Sequence, residues 1–364
     1  MAQIFILGAS GYVGKELVKL LQTSNHQLTV LDRGNAKLHL EKYNVEFAPG
    51  ELLTSKNFDV VINLAYPNVG AVYFSKNNRE IFHLIHSCVR SHTKIIHIST
   101  QAVFGLALDY PIRLSQVQQR RDYPYVQAKI ELENILFNKY SQKNNLTILR
   151  LGNVWGPASQ TWTCTIANKL LFGKAVGVDG RDGYSNITDV ANTTSYIQFL
   201  AEKYNGSQIF HHLAELGNHR WSEMILPMSK RLGVPPLYER MHIPASPSYY
   251  GDFKNVFSEI SFLQLCKRIA LTRTTGAIIR SAMSSIPIAV FEKSKRKFAS
   301  KISSGHELSD EEKTFLSIMS TPVQFASSVS KDWIQPISMN DSINNVLQWM
   351  EEAGYFENFY IQKV

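Results

Sequence analysis

The sequence predicts an α/β protein: a doubly wound, parallel-sheet Rossmann domain followed by a smaller, mostly helical domain. Two observations carry this. Short apolar runs alternate with helical patterns through the first half of the chain, as βαβ units do. A glycine triplet, G-x-x-G-x-x-G, lies between the first apolar run and the first helical pattern.

Each element follows from its local pattern. "QIFIL" (3–7) reads as a short buried strand, and after "GASGYVG" the stretch "KELVKLLQ" spaces Leu17, Val18, Leu20 and Leu21 as a helix does. "LTVLD" (28–32), "FDVVINLA" (58–65) and "KIIHIST" (94–100) read as further strands, with a helix over 78–90. A long helix is expected over 124–140, then a strand in "LTILRLG" (146–152). Farther on, "WTCTIANKLLFG", "DVANTTSYIQFLAEKY" and "RWSEMILPMSKRLG" look helical and "SQIFHHLA" looks like a strand. "SINNVLQWMEEAGYF" reads as an amphipathic helix. The expected division is 1–155 for a dinucleotide-binding domain, with a return segment near 186–215, and 156–364 for a substrate domain.

Composition narrows the class. Of 364 residues, 44% are hydrophobic, enough for a buried core and against global disorder. Cys88, Cys164 and Cys266 are widely spaced, which argues for a reducing compartment and against a disulfide framework or a zinc site; no metal is expected. "IFIL" is too short for the core of a signal peptide, and no apolar run is long enough to span a membrane. A cytoplasmic protein is expected.

The glycine loop points to a dinucleotide. Gly8 allows the tight turn, Gly11 lets a pyrophosphate approach the backbone, and Gly14 lets the helix pack on the sheet. The helix start, with Ser10, Tyr12 and Val13, then faces the phosphates. Asp32 closes the second strand, where a carboxylate bonds the adenosine ribose and repels a 2′-phosphate. NAD is therefore favoured over NADP, and Arg33 softens the preference.

Ser99 and Thr100 end a strand on the side where such sheets bind ligands. Tyr125 and Lys129 follow on the long helix, four apart and so on one face. A phenol beside an ammonium can donate and accept a proton. A second pair at this spacing, Tyr250 and Lys254, lacks that setting and reads as coincidence.

Together "GASGYVG", "LDRG", "PGEL", "NLA", "STQAVFG", "YVQAK", "RLGNVWGP" and "GYSNITDVA" resemble an extended short-chain dehydrogenase/reductase, the NAD-dependent epimerase/dehydratase family, in its UDP-glucose 4-epimerase-like branch. The resemblance covers about 1–235 and returns near 325–350. It implies Thr100, Tyr125 and Lys129 as the catalytic triad, with Tyr125 exchanging the substrate hydroxyl proton and Lys129 lowering the phenol's pKa. It also implies cofactor contacts from Glu51, Leu52, Leu64, Ala65 and Asn78, and substrate contacts from Thr100, Gln101, Asn153 and Arg181. A homodimer through the helices at 78–90 and 124–140 is the family expectation.

The residues after Thr100 separate reactions. The resemblance implies an Asp-Glu pair there for dehydration, yet Gln101 and Ala102 cannot transfer protons. Hydride chemistry remains: epimerisation of a sugar through a transient ketone, or net oxidoreduction. The family's diphosphate-binding Arg before the aromatic Tyr184 is also absent; Asp182 and Gly183 stand there and Arg181 is shifted by one.

One stretch stands apart. Lys254 to Lys301 carries ten basic and two acidic residues, which accounts for the whole net charge of +8. The basic insertion, near 254–320, interleaves these cations with apolar residues. That suits either a solvated helical lid or an anionic membrane surface; nucleic acid is not the expected partner. The membrane reading would make a polyprenyl-diphosphate-linked sugar a candidate substrate, and the enzyme peripheral at the inner face of the membrane. Two further readings stay open: a membrane-associated NAD(P)-dependent dehydrogenase of a lipid or sterol-like alcohol, and a redox-silent dinucleotide-binding scaffold.

Overall fold

The computed structural model describes residues 1–32, 36–66, 74–104, 124–143, 145–240 and 308–355. Its first half alternates strand and helix: β1 (Gln3–Leu7), α1 (Tyr12–Leu21), β2 (Gln27–Leu31), α2 (Ala36–Leu40), β3 (Glu46–Ala48), α3 (Gly50–Leu53), β4 (Val60–Asn63), α4 (Phe74–Cys88), β5 (Lys94–Thr100), α5 (Pro124–Tyr140) and β6 (Leu146–Leu151). Then come β7 (Asn153–Trp155), α6 (Thr165–Leu171), β8 (Ala175–Val178), β9 (Ile187–Asp189), α7 (Val190–Glu202), β10 (Phe210–Leu213), α8 (Ser222–Leu232), β11 (Leu237–Glu239), α9 (Asp310–Met319) and α10 (Met339–Glu352).

The predicted doubly wound sheet is present. Seven parallel strands run in the order β3-β2-β1-β4-β5-β6-β10. The order turns back between β1 and β4, and in such sheets the crevice at that point binds the ligand. Strand β10 joins the sheet beside β6 although the chain leaves it between them.

Both faces of the sheet are covered, so its strands are apolar on both sides. On one face Leu17, Val18 and Leu21 of α1 share a core with Tyr196, Ile197 and Leu200 of α7. On the other, Ile81 and Ile85 of α4 pack with Leu132, Leu136 and Tyr140 of α5. A separate core gathers Trp155, Trp162, Trp221, Met224, Met339 and Val346. Two small parallel sheets, β7 with β9 and β8 with β11, belong to this second half.

The later helices begin on local signals. Asp189 caps α7 by accepting from the Ala191 amide at 2.6 Å. Ser309 with Glu312, and Ser338 with Asp341, form reciprocal capping boxes on α9 and α10. Gly233, with φ 68°, closes α8. The last segment packs on α7: the Trp333 indole donates to Ser195 Oγ at 3.2 Å, and the ring packs edge-on to Tyr196.

Several expectations shift. The helix expected over 78–90 begins earlier, at Phe74, and the strand expected over 58–65 narrows to Val60–Asn63. A π-turn over Gln160–Cys164 precedes α6. Cys88 and Cys164 are buried and form no disulfide, while Cys266 lies outside the described residues. So do Arg33, Tyr250, Lys254 and the insertion up to residue 307. Among the described residues no helix is long and apolar enough to cross a membrane.

Candidate active site

The loop after β1 folds over the start of β4's exit. Gly8 has φ 89°, and a Cβ there would stand 2.7 Å from the Ala65 amide nitrogen. Gly14 packs so closely on the loop that a Cβ would stand 2.6 Å from the Ala9 carbonyl oxygen. Only glycine fits either position. The Gly11 amide donates to the Gly8 carbonyl at 3.1 Å, and Gly11 begins α1 with no side-chain cap. The amides of the first turn are thus left for an anion.

A cleft of about 660 Å³ opens there, lined by Gly8, Ala9, Ser10, Leu31, Ala65 and Tyr66 and by one side of α4. Its far wall includes Ile81, His83 and Leu84. The bare glycine cradle and uncapped helix start fit a dinucleotide pyrophosphate. Asp32 follows β2, and its Oδ2 is 3.0 Å from Lys37 Nζ. Leu64 and Ala65 are held under the loop: the Leu64 amide donates to the Leu7 carbonyl at 2.8 Å, and the Ala65 amide donates to Asn63 Oδ1 at 3.0 Å.

Beside the cleft, the end of β5 meets the start of α5. Thr100 and Tyr125 are hydrogen-bonded through their side chains. Lys129, one turn on, is buried, and its ammonium donates to the Ile98 carbonyl at 3.0 Å. Glu133, a further turn on, takes two bonds from Arg150 of β6, at 3.1 and 2.6 Å. Tyr125, Lys129 and Glu133 therefore share one face of α5.

Burial governs the titration here. It pushes Tyr125 up to about 12, against the hydrogen bond from Thr100. It pushes Lys129 down to about 8, and the Glu133 carboxylate opposes that. The sequence suggested that Lys129 would depress the phenol. In this structure desolvation outweighs any such effect, and the ammonium is turned to Ile98.

The other expected residues divide. Ser10 lines the cleft, while Tyr12 sends its hydroxyl away to the Pro157 carbonyl, 2.9 Å off, and Val13 is half-buried. Asn78 is fully buried and clamps α4 to α5, donating to the Ala128 carbonyl at 2.9 Å and to Glu131 Oε2 at 2.8 Å. Glu51 and Leu52 are exposed on α3, outside the cleft lining. Asn153 donates to the Ser185 carbonyl at 2.7 Å, and Arg181 is exposed in the turn after β8. Asp182 caps α8 through the Ser222 amide and hydroxyl, at 3.1 and 2.6 Å. Gln101 is 1% exposed, and neither atom of its amide has a hydrogen-bond partner.

Sequence reasoning passed over Tyr66, Asn63 and His97. Asn63 Nδ2 lies 3.0 Å from His97 Nδ1; since Asn63 Oδ1 accepts from Ala65, the amide nitrogen faces the ring. Burial, with Lys129 and Arg150 nearby, holds His97 neutral. Tyr66 sits edge-on to Tyr125, with ring centroids 4.9 Å apart. Its only trace in the sequence is an aromatic residue directly after a strand end.

Residues 4–183 match the model of the NAD dependent epimerase/dehydratase family. Through these residues the chain belongs to that family. Its cofactor is accordingly NAD, and it is an NAD-dependent enzyme of the extended short-chain dehydrogenase/reductase type. Solved structures share the fold. A dTDP-glucose 4,6-dehydratase from Bacillus anthracis, in complex with NAD, is 15% identical, with 97% of each chain covered and a TM-score of 0.58. A UDP-glucuronic acid 4-epimerase from Bacillus cereus is 19% identical, over 67% of this chain and 88% of that one, with a TM-score of 0.54. A UDP-glucose 4-epimerase from Thermotoga maritima is 17% identical, over 66% and 86%, with a TM-score of 0.52. No curated protein matches the chain significantly.

Proposed function

We propose that the protein is an NAD-dependent sugar epimerase working through a transient ketone. The observation that carries this reading is the hydrogen-bonded pair Thr100–Tyr125 beside the glycine cleft, followed by Gln101 where a dehydratase would need an acid. In this reading residues 1–155, with the return segment 186–215, hold NAD, and the remainder holds the sugar.

Bound NAD supplies the hydride acceptor and, oxidised, a positive charge that favours the Tyr125 phenolate. The chain's residues handle the proton. Tyr125 takes it from the substrate hydroxyl as the ketone forms and returns it as the new alcohol forms. Thr100 orients the phenol and the substrate oxygen. Lys129, buried and hydrogen-bonded to Ile98, supplies fixed positive charge near the phenol, and it would hold a ribose hydroxyl of the bound cofactor. Gly8, Ser10, Gly11, Val13 and Gly14 bind phosphate through backbone, and Asp32 takes the adenosine ribose. Gln101, buried with an unpartnered amide, binds a substrate hydroxyl without moving a proton.

The substrate is a sugar joined to a nucleotide diphosphate or a polyprenyl diphosphate; the relatives named for nucleotide sugars support the first. Asp182, occupied in capping α8, favours diphosphate contacts from elsewhere. The basic stretch 254–301 supports the second, and sedimentation with anionic but not neutral liposomes at low salt would bear it out. Association as a homodimer through α4 and α5 belongs to this reading. The test of the reaction is NMR of nucleotide sugars incubated with enzyme and NAD. Interconversion of two epimers is expected. Accumulation of a keto-deoxy sugar would mean dehydration, and stoichiometric oxidation would mean a dehydrogenase.

A further inference from the structure

Tyr66 lies where the two halves of the site meet. It follows Ala65, whose backbone packs against Gly8, and it lines the cofactor cleft. Its ring is 4.9 Å from that of Tyr125, with 68° between the planes, an edge-to-face geometry that aromatic pairs favour. The same ring lies 5.7 Å from Lys129 Nζ, within cation–π range.

We propose that Tyr66 is a positioning residue of the catalytic pair, whose ring fixes the Tyr125 phenol and stabilises the Lys129 ammonium. The proposal rests on the role given to Tyr125 and Lys129 above. The charges around Lys129 show why it needs such a neighbour. On its own helix, Glu133 is the anion in reach, and Arg150 of β6 engages both of its oxygens. From β5 come the Ile98 carbonyl and the neutral His97. Tyr125 is a protonated phenol. A buried cation with a shared counter-ion and one carbonyl gains from the negative face of an aromatic ring. Removing the ring without admitting water weakens the charged form.

Because Tyr66 also lines the cleft, whatever fills the cleft meets the side chain that orients the acid–base pair. The contact couples occupancy of the cofactor site to proton transfer.

The test uses lysine labelled at Cε and NMR titration of the whole protein, with the Lys129 signal assigned by its loss in Lys129→Arg. Burial, which pushes Lys129 down to about 8, sets the midpoint expected for the wild type. Tyr66→Leu keeps the site dry and removes the ring, and the midpoint should fall by roughly half a unit to one unit. Tyr66→Phe should leave it in place. Tyr66→Trp, with the stronger π face, should hold or raise it, and this variant decides the matter if the leucine variant does not fold. The alkaline limb of turnover should move with the midpoint. Equal midpoints in Leu, Phe and Trp variants would overturn the proposal. The titration needs no turnover, so failure of the epimerase reading would be seen separately, as an inactive wild type.

Discussion

Lys129 reaches across from α5 to the carbonyl of Ile98 on β5, 3.0 Å away, two residues before Thr100. A helix and a strand that are far apart in sequence are thereby pinned at the point where the phenol and the threonine meet. The bond holds a cation in a site that excludes water, which is why burial lowers its pKa to about 8.

That lowering makes stability depend on pH with a definite sign. Between pH 8 and the ordinary lysine value of 10.5, the unfolded chain keeps a proton that the folded one has lost. Stability therefore rises with pH across that window. Below it, the folded state carries the cost of the buried charge, on the order of 3 kcal/mol. Lys129→Met should lack this rise. Urea denaturation of both proteins at several pH values measures it; parallel curves would show that the ammonium is not penalised.

The Glu133–Arg150 pair should be costly to break singly. Arg150 is 1% exposed, with Phe104 and Phe210 against its guanidinium at 5.0 and 4.5 Å. Glu133→Gln leaves that cation without its counter-ion, a loss of about 3–5 kcal/mol. The double change Glu133→Leu with Arg150→Met should lose less than Glu133→Gln alone. Chemical denaturation of the two variants beside the wild type is the check.

Cofactor choice turns on Asp32. Its carboxylate repels a 2′-phosphate, while Lys37, 3.0 Å from it and 62% exposed, is a cation that such a phosphate could recruit. NAD should bind more tightly than NADP, and Lys37→Ala should weaken NADP further while sparing NAD. Calorimetry that finds NADP preferred would reverse the assignment of Asp32.

What the sequence made legible was periodic or local. Strands such as Gln3–Leu7 and Lys94–Thr100 are continuous apolar runs, and the glycine loop is a local motif, so both could be read directly. Three-residue strands such as Asn153–Trp155 and Ile187–Asp189 are too short to show a period. Helix α9 hid in a serine-rich stretch, although Ser309 and Glu312 do spell a capping box. In the site, the sequence pointed to residues within one motif and passed over residues that the fold brings together. Asn78 was expected at the cofactor, yet its partners Ala128 and Glu131 lie half a domain away in sequence. Tyr66 and Tyr125 are brought together by the order of β4 and β5 in the sheet, which no local pattern encodes.

The central claim is that Tyr125 carries the proton in a hydride-transfer reaction. Tyr125→Phe removes the hydroxyl and keeps the ring that packs against Tyr66. NMR of epimer interconversion, run beside calorimetry of NAD binding, tests it most directly. The account predicts loss of turnover by at least about a hundredfold, as for a missing acid–base group, with NAD affinity and the denaturation midpoint near those of the wild type. Turnover by Tyr125→Phe at the wild-type rate would contradict it.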